Sequence, residues 1–226
     1  MPNCFLYNFC NHKDCDKDFC PRKFKLETLF RYTLIPETQW TKQILNVDAD
    51  GTDLTEFKQL AEIEKNIEKF VESGNNLYLW SYISGNGKTS WSIRLAQAYL
   101  HKIWPTAQLG CKVLFIRVPK FLSDIKSNLN SRNEDAQYVL ENVLQADLVI
   151  WDDIGTKPGT SFEINKLLEI LDHRLAYKKA NIFTANLGQL ELKAALDTRL
   201  VSRIYDTSTV IELHGSGKRP CKREEY

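Results

Sequence analysis

The sequence predicts an α/β fold in which a parallel β-sheet is covered by helices on both faces. Short apolar runs, of the length expected for strands, alternate with stretches whose apolar residues recur at helical spacing. A glycine-rich turn follows the first apolar run, and two carboxylates end the third. Strands that alternate with helices favour parallel pairing, because the chain must cross over between parallel strands.

The composition is that of an ordinary globular protein. The chain has 226 residues, 43% hydrophobic and 26% charged, with a formal net charge of +1. This length suits one sizeable α/β domain and a small appendage. The near-neutral charge means that any bound polyanion needs a local basic patch. No apolar run approaches the roughly 20 residues that span a bilayer, and the polar N-terminus lacks an export signal. We therefore expect a cytoplasmic protein without membrane contact.

Four of the six cysteines crowd the first twenty residues. Clustered thiols without an export signal favour metal binding over disulfides, and thiolate and imidazole are the ligands that zinc prefers. The candidate ligands are Cys4, Cys10, Cys15 and Cys20, with His12 as the substitute. The cluster lacks paired C-x-x-C spacing, so the alternative is a set of free thiols on a flexible arm. We predict a structural Zn²⁺ site within an N-terminal module and linker, residues 1–50.

The remaining chain, residues 54–226, is predicted to form the α/β domain. Residues 24–53 have weak periodicity and are interpreted as a linker with short helices. Apolar spacing between Leu54 and Val71 predicts one amphipathic helix. The predicted core strands are residues 77–80, 113–118, 148–151 and 181–185. The helices predicted after the first three strands lie at residues 90–101, around 121–129 and at 162–177.

A glycine-rich segment follows the first predicted strand: Ser84-Gly85-Asn86-Gly87-Lys88-Thr89-Ser90. Such a loop wraps nucleotide phosphates in backbone N–H groups and ends at a helix N-terminus, whose dipole favours anions. In this pattern Lys88 reaches the β- and γ-phosphates of ATP, and the Thr89 hydroxyl coordinates Mg²⁺. Tyr82 stands where the first glycine is usual, which implies either a turn of different shape or weakened nucleotide binding. The alternative is a surface Gly-Lys turn that binds nothing.

Polar side chains end the third and fourth predicted strands, at the edge where parallel sheets bind ligands. We expect Asp152 to hold Mg²⁺, directly or through water, and Asp153 to orient or activate the attacking water. Asn186 is expected to position that water or to read the γ-phosphate. The alternative is an ordinary turn after each strand. For the carboxylates, the phosphate loop earlier in the chain favours the catalytic interpretation.

Arg199 and Arg203 stand one turn apart on one face of a predicted helix. An arginine at this place can stabilise transition-state charge on the nucleotide of an adjacent subunit. Arg203 is the preferred candidate and Arg199 the reserve. The alternative is a pair of surface arginines on a solvated face.

With these motifs in order, the chain resembles the DnaC/DnaI-like helicase loaders and the related IstB-like ATPases, a clade of AAA+ proteins. The resemblance covers roughly residues 54–226. The segments that carry it are residues 77–79, 85–89, 148–155, 184–186, 199–203 and 215–220. Asp-Asp-Ile-Gly after the third strand is the most particular of these, since many other ATPases have Asp-Glu there.

The resemblance implies an AAA+ P-loop core with a minimal C-terminal lid, ATP hydrolysis and side-by-side homo-oligomers. It also implies single-stranded DNA as a ligand of the core and a replicative DnaB-type helicase as the partner of the N-terminal region. Arg219 matches a C-terminal arginine of the family that faces the nucleotide, although a solvated basic tail fits equally well. The chain departs from the family in Tyr82 and in a short N-terminal region, which suits a loader encoded by a phage or mobile element.

Two other functions fit the same motifs. One is an IstB-like transposition helper with a transposase partner, and the other is a nucleotide-switched binding module with little hydrolysis. The N-terminal cysteines favour the loader, while Lys88, Asp152 and Asp153 together favour turnover. Candidates for a groove that tracks single-stranded DNA, or equally for a solvated helix face, are Lys120, Phe121, Lys126 and Arg132.

Overall fold

A five-stranded sheet forms the centre of the computed structural model, which describes residues 20–40, 51–127 and 134–216. The strands are β1 (Asn76–Trp80), β2 (Val113–Arg117), β3 (Leu148–Asp152), β4 (Ala180–Ala185) and β5 (Ser208–Glu212). They are all parallel and lie in the order β2-β3-β4-β1-β5. The α/β class with a parallel sheet, predicted from the alternation of apolar runs and helical spacing, is confirmed.

Helices cover both faces of this sheet. They are α1 (Pro21–Arg31), α2 (Leu54–Lys65), α3 (Ile67–Glu72), α4 (Lys88–Ile103), α5 (Val118–Ser127), α6 (Glu134–Asn142), α7 (Ser161–Ala176), α8 (Gln189–Ala195) and α9 (Thr198–Asp206). Within the described ranges, none of them is long and apolar enough to cross a membrane. No helix lies between the end of β5 and residue 216, where the description of the chain stops.

The two faces of the sheet belong to separate hydrophobic cores, because successive side chains of a strand point to opposite sides. In β1, Leu77 and Leu79 pack with α1 to α4, whereas Tyr78 packs with the helices from α5 to α9. The same alternation runs through β2, β3 and β4. Burial on both faces explains why these strands read as continuous apolar runs in the sequence.

The single helix expected between residues 54 and 71 is two helices, α2 and α3, that meet at Asn66. The backbone of Asn66 leaves helical geometry, with φ −104° and ψ 26°. Its side-chain amide donates to the carbonyl and to the carboxylate of Glu62, at 3.1 and 2.6 Å. Asparagine competes for backbone hydrogen bonds in this way and interrupts helices. Apolar residues on both sides of the break still face one core, so the periodicity identified the buried face but not the break.

Residues 21–40 contain a short helix, as expected for the linker of residues 24–53, but this helix packs in the core. Helix α1 begins with Pro21 and buries Leu26, Leu29 and Phe30 completely. After α1, the carbonyl of Thr33 accepts a hydrogen bond from the backbone N–H of Phe115 in β2, at 2.8 Å. The narrow apolar stripe of α1 is set among charged residues and gives little periodic signal. This segment therefore shares the core of the α/β domain.

A buried arginine joins α7 to the amino ends of β3 and β4. The Arg174 side chain is fully buried and donates to the side-chain oxygen of Asn181 at 2.7 Å. It also donates to the carbonyls of Val143, Ala146 and Ala180, at 2.6, 2.9 and 2.6 Å. Burial lowers the pKa of Arg174 to about 9, so the side chain is still a cation near neutral pH. It lies at the sheet edge opposite the glycine-rich loop and has a structural role.

Candidate nucleotide site

The glycine-rich loop connects β1 to α4, which begins at Lys88. Gly85 and Gly87 have φ values of 83° and 106°, in the left-handed region that favours glycine. Tyr82 has a negative φ, so the backbone at that position does not require glycine. The backbone of this turn therefore accommodates the Tyr82 side chain.

The Lys88 ammonium group lies inside this loop and is almost completely buried. It donates to the carbonyls of Ile83 and Ser81, at 2.9 and 3.3 Å, and to the side-chain oxygen of Asn86 at 3.2 Å. The Asn86 amide donates in turn to the Ser81 hydroxyl at 2.6 Å and to the Leu213 carbonyl after β5 at 3.3 Å. A buried cation at the start of a helix provides charge complementarity for an anion.

Asp152 ends β3 beside the first turn of α4. One of its carboxylate oxygens accepts hydrogen bonds from the hydroxyls of Thr89 and Thr184, each at 2.8 Å. Burial raises the pKa of Asp152, while the two hydroxyls oppose that shift. The Thr89 hydroxyl and the Asp152 carboxylate are hard oxygen ligands of the kind that Mg²⁺ prefers. Their juxtaposition, across 63 residues of sequence, fits a shared magnesium ion.

Asp153 has an unusual backbone for a residue other than glycine, with φ 58°. Its N–H donates to the Thr184 hydroxyl at 3.1 Å, which holds the turn after β3 against β4. Its half-buried carboxylate forms no hydrogen bond to any residue that the structure describes. Left-handed backbone of this kind is sparsely populated and concentrates at functional sites. The turn therefore presents Asp153 next to the buried Asp152 with its acceptor oxygens available.

Asn186 directly follows β4, which lies between β1 and β3 in the sheet. The preceding carbonyl, of Ala185, accepts a hydrogen bond from the N–H of Ser81 at 3.2 Å. Asn186 is half-exposed, and its amide makes no hydrogen bond within the described part of the chain. Three predicted parts of the site thus lie together at the carboxyl ends of the adjacent strands β3, β4 and β1: the carboxylates, this amide and the phosphate loop.

Arg199 and Arg203 lie one turn apart on α9, which follows α8 in the chain. The Arg203 guanidinium donates to the carboxylate of Asp172 on α7. The Arg199 guanidinium donates to Asp197 at 3.2 Å, and its side chain is 62% exposed, against 38% for Arg203. Both arginines are therefore exposed enough to reach another molecule, and each has an acidic partner in its own chain.

Several predicted site residues lie outside the described residues. They are Cys4, Cys10, His12, Cys15 and Arg219. Cys20 is described and directly precedes α1, where it is half-buried. Within the described ranges, no three or more metal-binding side chains cluster. The Zn²⁺ site stays a prediction.

The interpretation of Phe121 as a base-stacking ring is wrong. Phe121 is 4% exposed and packs in the core under α5, whereas stacking requires an accessible ring. Lys120 donates to the carboxylates of Asp124 and Asp135, at 2.8 and 3.1 Å. The Lys126 side chain and Arg132 lie outside the described residues.

Sequence reasoning gave no role to Thr184, which bonds both the carboxylate of Asp152 and the backbone of Asp153. The available signal was a hydroxyl residue inside an otherwise apolar buried strand. A fully buried hydroxyl needs a partner, and in a parallel sheet that partner lies on a neighbouring strand.

The chain is similar to known proteins in both sequence and structure. A family model described as IstB-like ATP binding protein matches residues 21–225. The replicative helicase loader DnaC of Buchnera aphidicola subsp. Baizongia pistaciae is 30% identical over 96 residues, covering 42% of this chain and 39% of that protein. The DnaC loader of Escherichia coli K12 is 23% identical over 143 residues, covering 63% and 52%. The chain spans about half the length, or less, of these curated relatives.

Solved structures share the architecture. The crystal structure of the DnaC helicase loader has a TM-score of 0.64 at 16% identity, covering 79% of this chain and all of that one. The DnaI structure has a TM-score of 0.62 at 20% identity, covering 83% and 95%. The replication initiator DnaA bound to AMPPCP and single-stranded DNA has a TM-score of 0.58 at 17% identity, covering 81% and 51%. At these identities the likeness shows a common fold.

Proposed function

The chain belongs to the family of IstB-like ATP binding proteins and has the AAA+ fold predicted from its sequence, and from this premise we propose that it hydrolyses ATP to load a replicative DNA helicase. The observation that carries the ATP site is the hydrogen bond between Thr89 and Asp152 beside the buried Lys88. The loader role is supported by curated relatives that are themselves named helicase loaders.

The described residues divide the hydrolysis reaction among them. The N–H groups of residues 85–89 and the Lys88 ammonium bind the phosphates, with Lys88 exchanging loop carbonyls for phosphate oxygens. Thr89 and Asp152 would hold Mg²⁺, which when bound would supply positive charge to stabilise the phosphates. Asp153 accepts a hydrogen bond from the attacking water and orients it. Asn186 donates its amide to that water or to the γ-phosphate. Arg219, outside the described residues, is proposed as a further nucleotide contact.

The protein is proposed to form side-by-side oligomers in which Arg203 acts on the nucleotide of the neighbouring subunit. Arg199 is the second candidate for this role. Asp172 holds Arg203 within its own chain, so in the assembled form the guanidinium must share or leave that carboxylate. We also propose that the core binds single-stranded DNA. The proposed location of the protein is the cytoplasm.

Mixing experiments test the arginine in trans. Arg203→Ala is expected to reduce ATP turnover at least about 100-fold, because a finger stabilises charge that develops only in the transition state. Mixing this variant with Lys88→Ala protein should restore part of the turnover, since the mixed interfaces combine an intact loop with an intact arginine. Asp172→Asn is the matched control and should keep turnover within about 3-fold, because it leaves the guanidinium in place. Failure of the mixture to recover any turnover would contradict action in trans.

The helicase role is tested by co-purification with the host's replicative helicase, with and without ATP. The informative truncation removes residues 1–19 only, because α1 and the turn after it pack in the core of the ATPase domain. The predicted zinc module is then lost while the domain stays folded. We expect the full chain to retain the helicase and the truncated chain to lose at least about 90% of it. Zinc content of the two proteins, measured together, tests the metal prediction.

The family match also favours a second candidate, an ATPase that assists a transposase. Capture of a transposase by the full chain, with no retention of helicase in any nucleotide state, would move the proposal to that function and leave the ATP site unchanged.

A further inference from the structure

Tyr82 occupies the position where phosphate loops usually have a glycine, and its side chain reaches the turn that carries Asn186. We propose that Tyr82 is a positioning residue that fixes this turn against the phosphate loop, so that discrimination between ATP and ADP depends on it. The inference rests on the proposed function and takes, of the two roles given there for Asn186, the contact with the γ-phosphate.

Tyr82 bridges the loop and helix α8. Its hydroxyl donates to the carboxylate of Glu191, in the first turn of α8, at 2.9 Å. Its ring packs edge-on against Trp80, with ring centroids 5.0 Å apart and an interplanar angle of 88°. One end of the side chain is thereby fixed to β1 and the other to the helix that follows Asn186.

Gly188 leaves the space that this bridge occupies. Its φ of −76° is open to any residue, so backbone conformation does not demand glycine here. A methyl group added at Gly188 would lie 3.0 Å from the Tyr82 hydroxyl, 3.0 Å from the Glu191 carboxylate and 3.2 Å from the Trp80 ring. The loop thus carries the Tyr82 side chain where a glycine is usual. The facing turn has a glycine, Gly188, where a side chain would collide with Tyr82.

Two further contacts hold the same turn from the β1 side. The N–H of Ser81 donates to the Ala185 carbonyl at 3.2 Å, and the Tyr78 hydroxyl donates to the Leu187 carbonyl at 2.8 Å. Asn186 lies between these two attachment points. The Tyr82 bridge fastens the far end of the turn, beyond Gly188, and so limits how Asn186 can rotate away from the phosphates.

The other side of the turn packs against the segment that carries the carboxylates. Gly155, with φ 80°, lies so close that an added methyl group would be 2.4 Å from a Leu192 methyl and 3.3 Å from a Leu187 methyl. The turn therefore contacts both the start of the phosphate loop and the residues after Asp153. Preorganisation of this kind lowers the ordering cost of binding the γ-phosphate, which ADP lacks.

The test measures binding of ADP and of a non-hydrolysable ATP analogue by calorimetry, so it does not depend on turnover. Tyr82 is 60% exposed, and its replacement leaves both cores intact. Tyr82→Gly is expected to weaken binding of the analogue about 5-fold while ADP binding stays within about 2-fold, the size of one lost hydrogen bond and ring contact. Tyr82→Phe keeps the ring and should give a smaller loss, which Glu191→Ala should match.

The matched control is Tyr177→Phe, at the end of α7, where an equally exposed tyrosine stacks on His173 away from the site. It should leave both affinities unchanged. In an Asn186→Ala background, Tyr82→Gly should have no further effect on the analogue, because the two residues act through one contact.

Three results would overturn the inference alone: unchanged affinities in Tyr82→Gly, equal loss of ADP and analogue, or full additivity with Asn186→Ala. A wild-type protein that binds neither nucleotide would instead contradict the proposed function, and this inference with it.

Discussion

Replacement of Lys88 by alanine is expected to reduce ATP turnover about 100- to 1,000-fold, the loss typical for one preorganised donor to transition-state charge. Nucleotide affinity should fall as well, since the ammonium contacts the phosphates in the ground state. The buried position of Lys88 adds to the effect, because the Ile83 carbonyl and the Asn86 side-chain oxygen lose a donor and the loop loses its central cation. Turnover is measured by phosphate release and affinity by calorimetry.

The matched control for this variant is Lys102→Ala, an exposed lysine on the same helix α4. It should keep turnover and affinity, and both variants should unfold at temperatures within a few degrees of the wild type. Retention of wild-type turnover by Lys88→Ala would show that the glycine-rich turn is not the phosphate site.

Arg174→Ala is expected to have the largest effect on stability, lowering the free energy of unfolding by about 3–5 kcal/mol. The substitution leaves the buried carbonyls of Val143, Ala146 and Ala180 without their guanidinium donors and opens a cavity between α7 and the sheet. Part of this loss of stability is offset, because the variant no longer has to desolvate a buried cation on folding. Urea unfolding monitored by circular dichroism measures the change.

Arg31→Ala is the control for Arg174, since Arg31 is exposed on α1. It should change the free energy of unfolding by no more than about 0.5 kcal/mol. Nucleotide affinity of the folded fraction of Arg174→Ala should be unchanged, because Arg174 lies at the opposite edge of the sheet. An unchanged urea midpoint for Arg174→Ala would contradict the structural role.

The parts of the fold that the sequence predicted are those with a strong local pattern. Buried strands read as continuous apolar runs, and the loop and carboxylates stand directly after two of them. Contacts between distant segments had no such signal. The bond from Thr184 to Asp152 depends on strand pairing, and the bridge from Tyr82 to Glu191 joins residues 109 positions apart. The burial of Arg174 had no signal in the sequence, because burial of an arginine depends on acceptors supplied by other elements.

Helix α1 shows the same limit. Its three buried residues are flanked by charged and polar positions, and the apolar surface of α4 against which they pack lies far away in the sequence. The break at Asn66 was not predicted because the apolar spacing continues across it. The hydrogen bond from Asn66 to Glu62 that accompanies the break leaves no mark on that spacing.

The contact of Thr33 with β2 bears on self-association. Strand β2 is at one end of the sheet, and an uncovered edge strand invites pairing with a second chain. The Thr33 carbonyl accepts a hydrogen bond from the Phe115 N–H and so occupies one donor of that edge. A chain that begins at residue 54 would lack this contact, so precipitation or strand-exchanged aggregates of such a fragment would report the exposed β2 edge rather than the loss of a docking module.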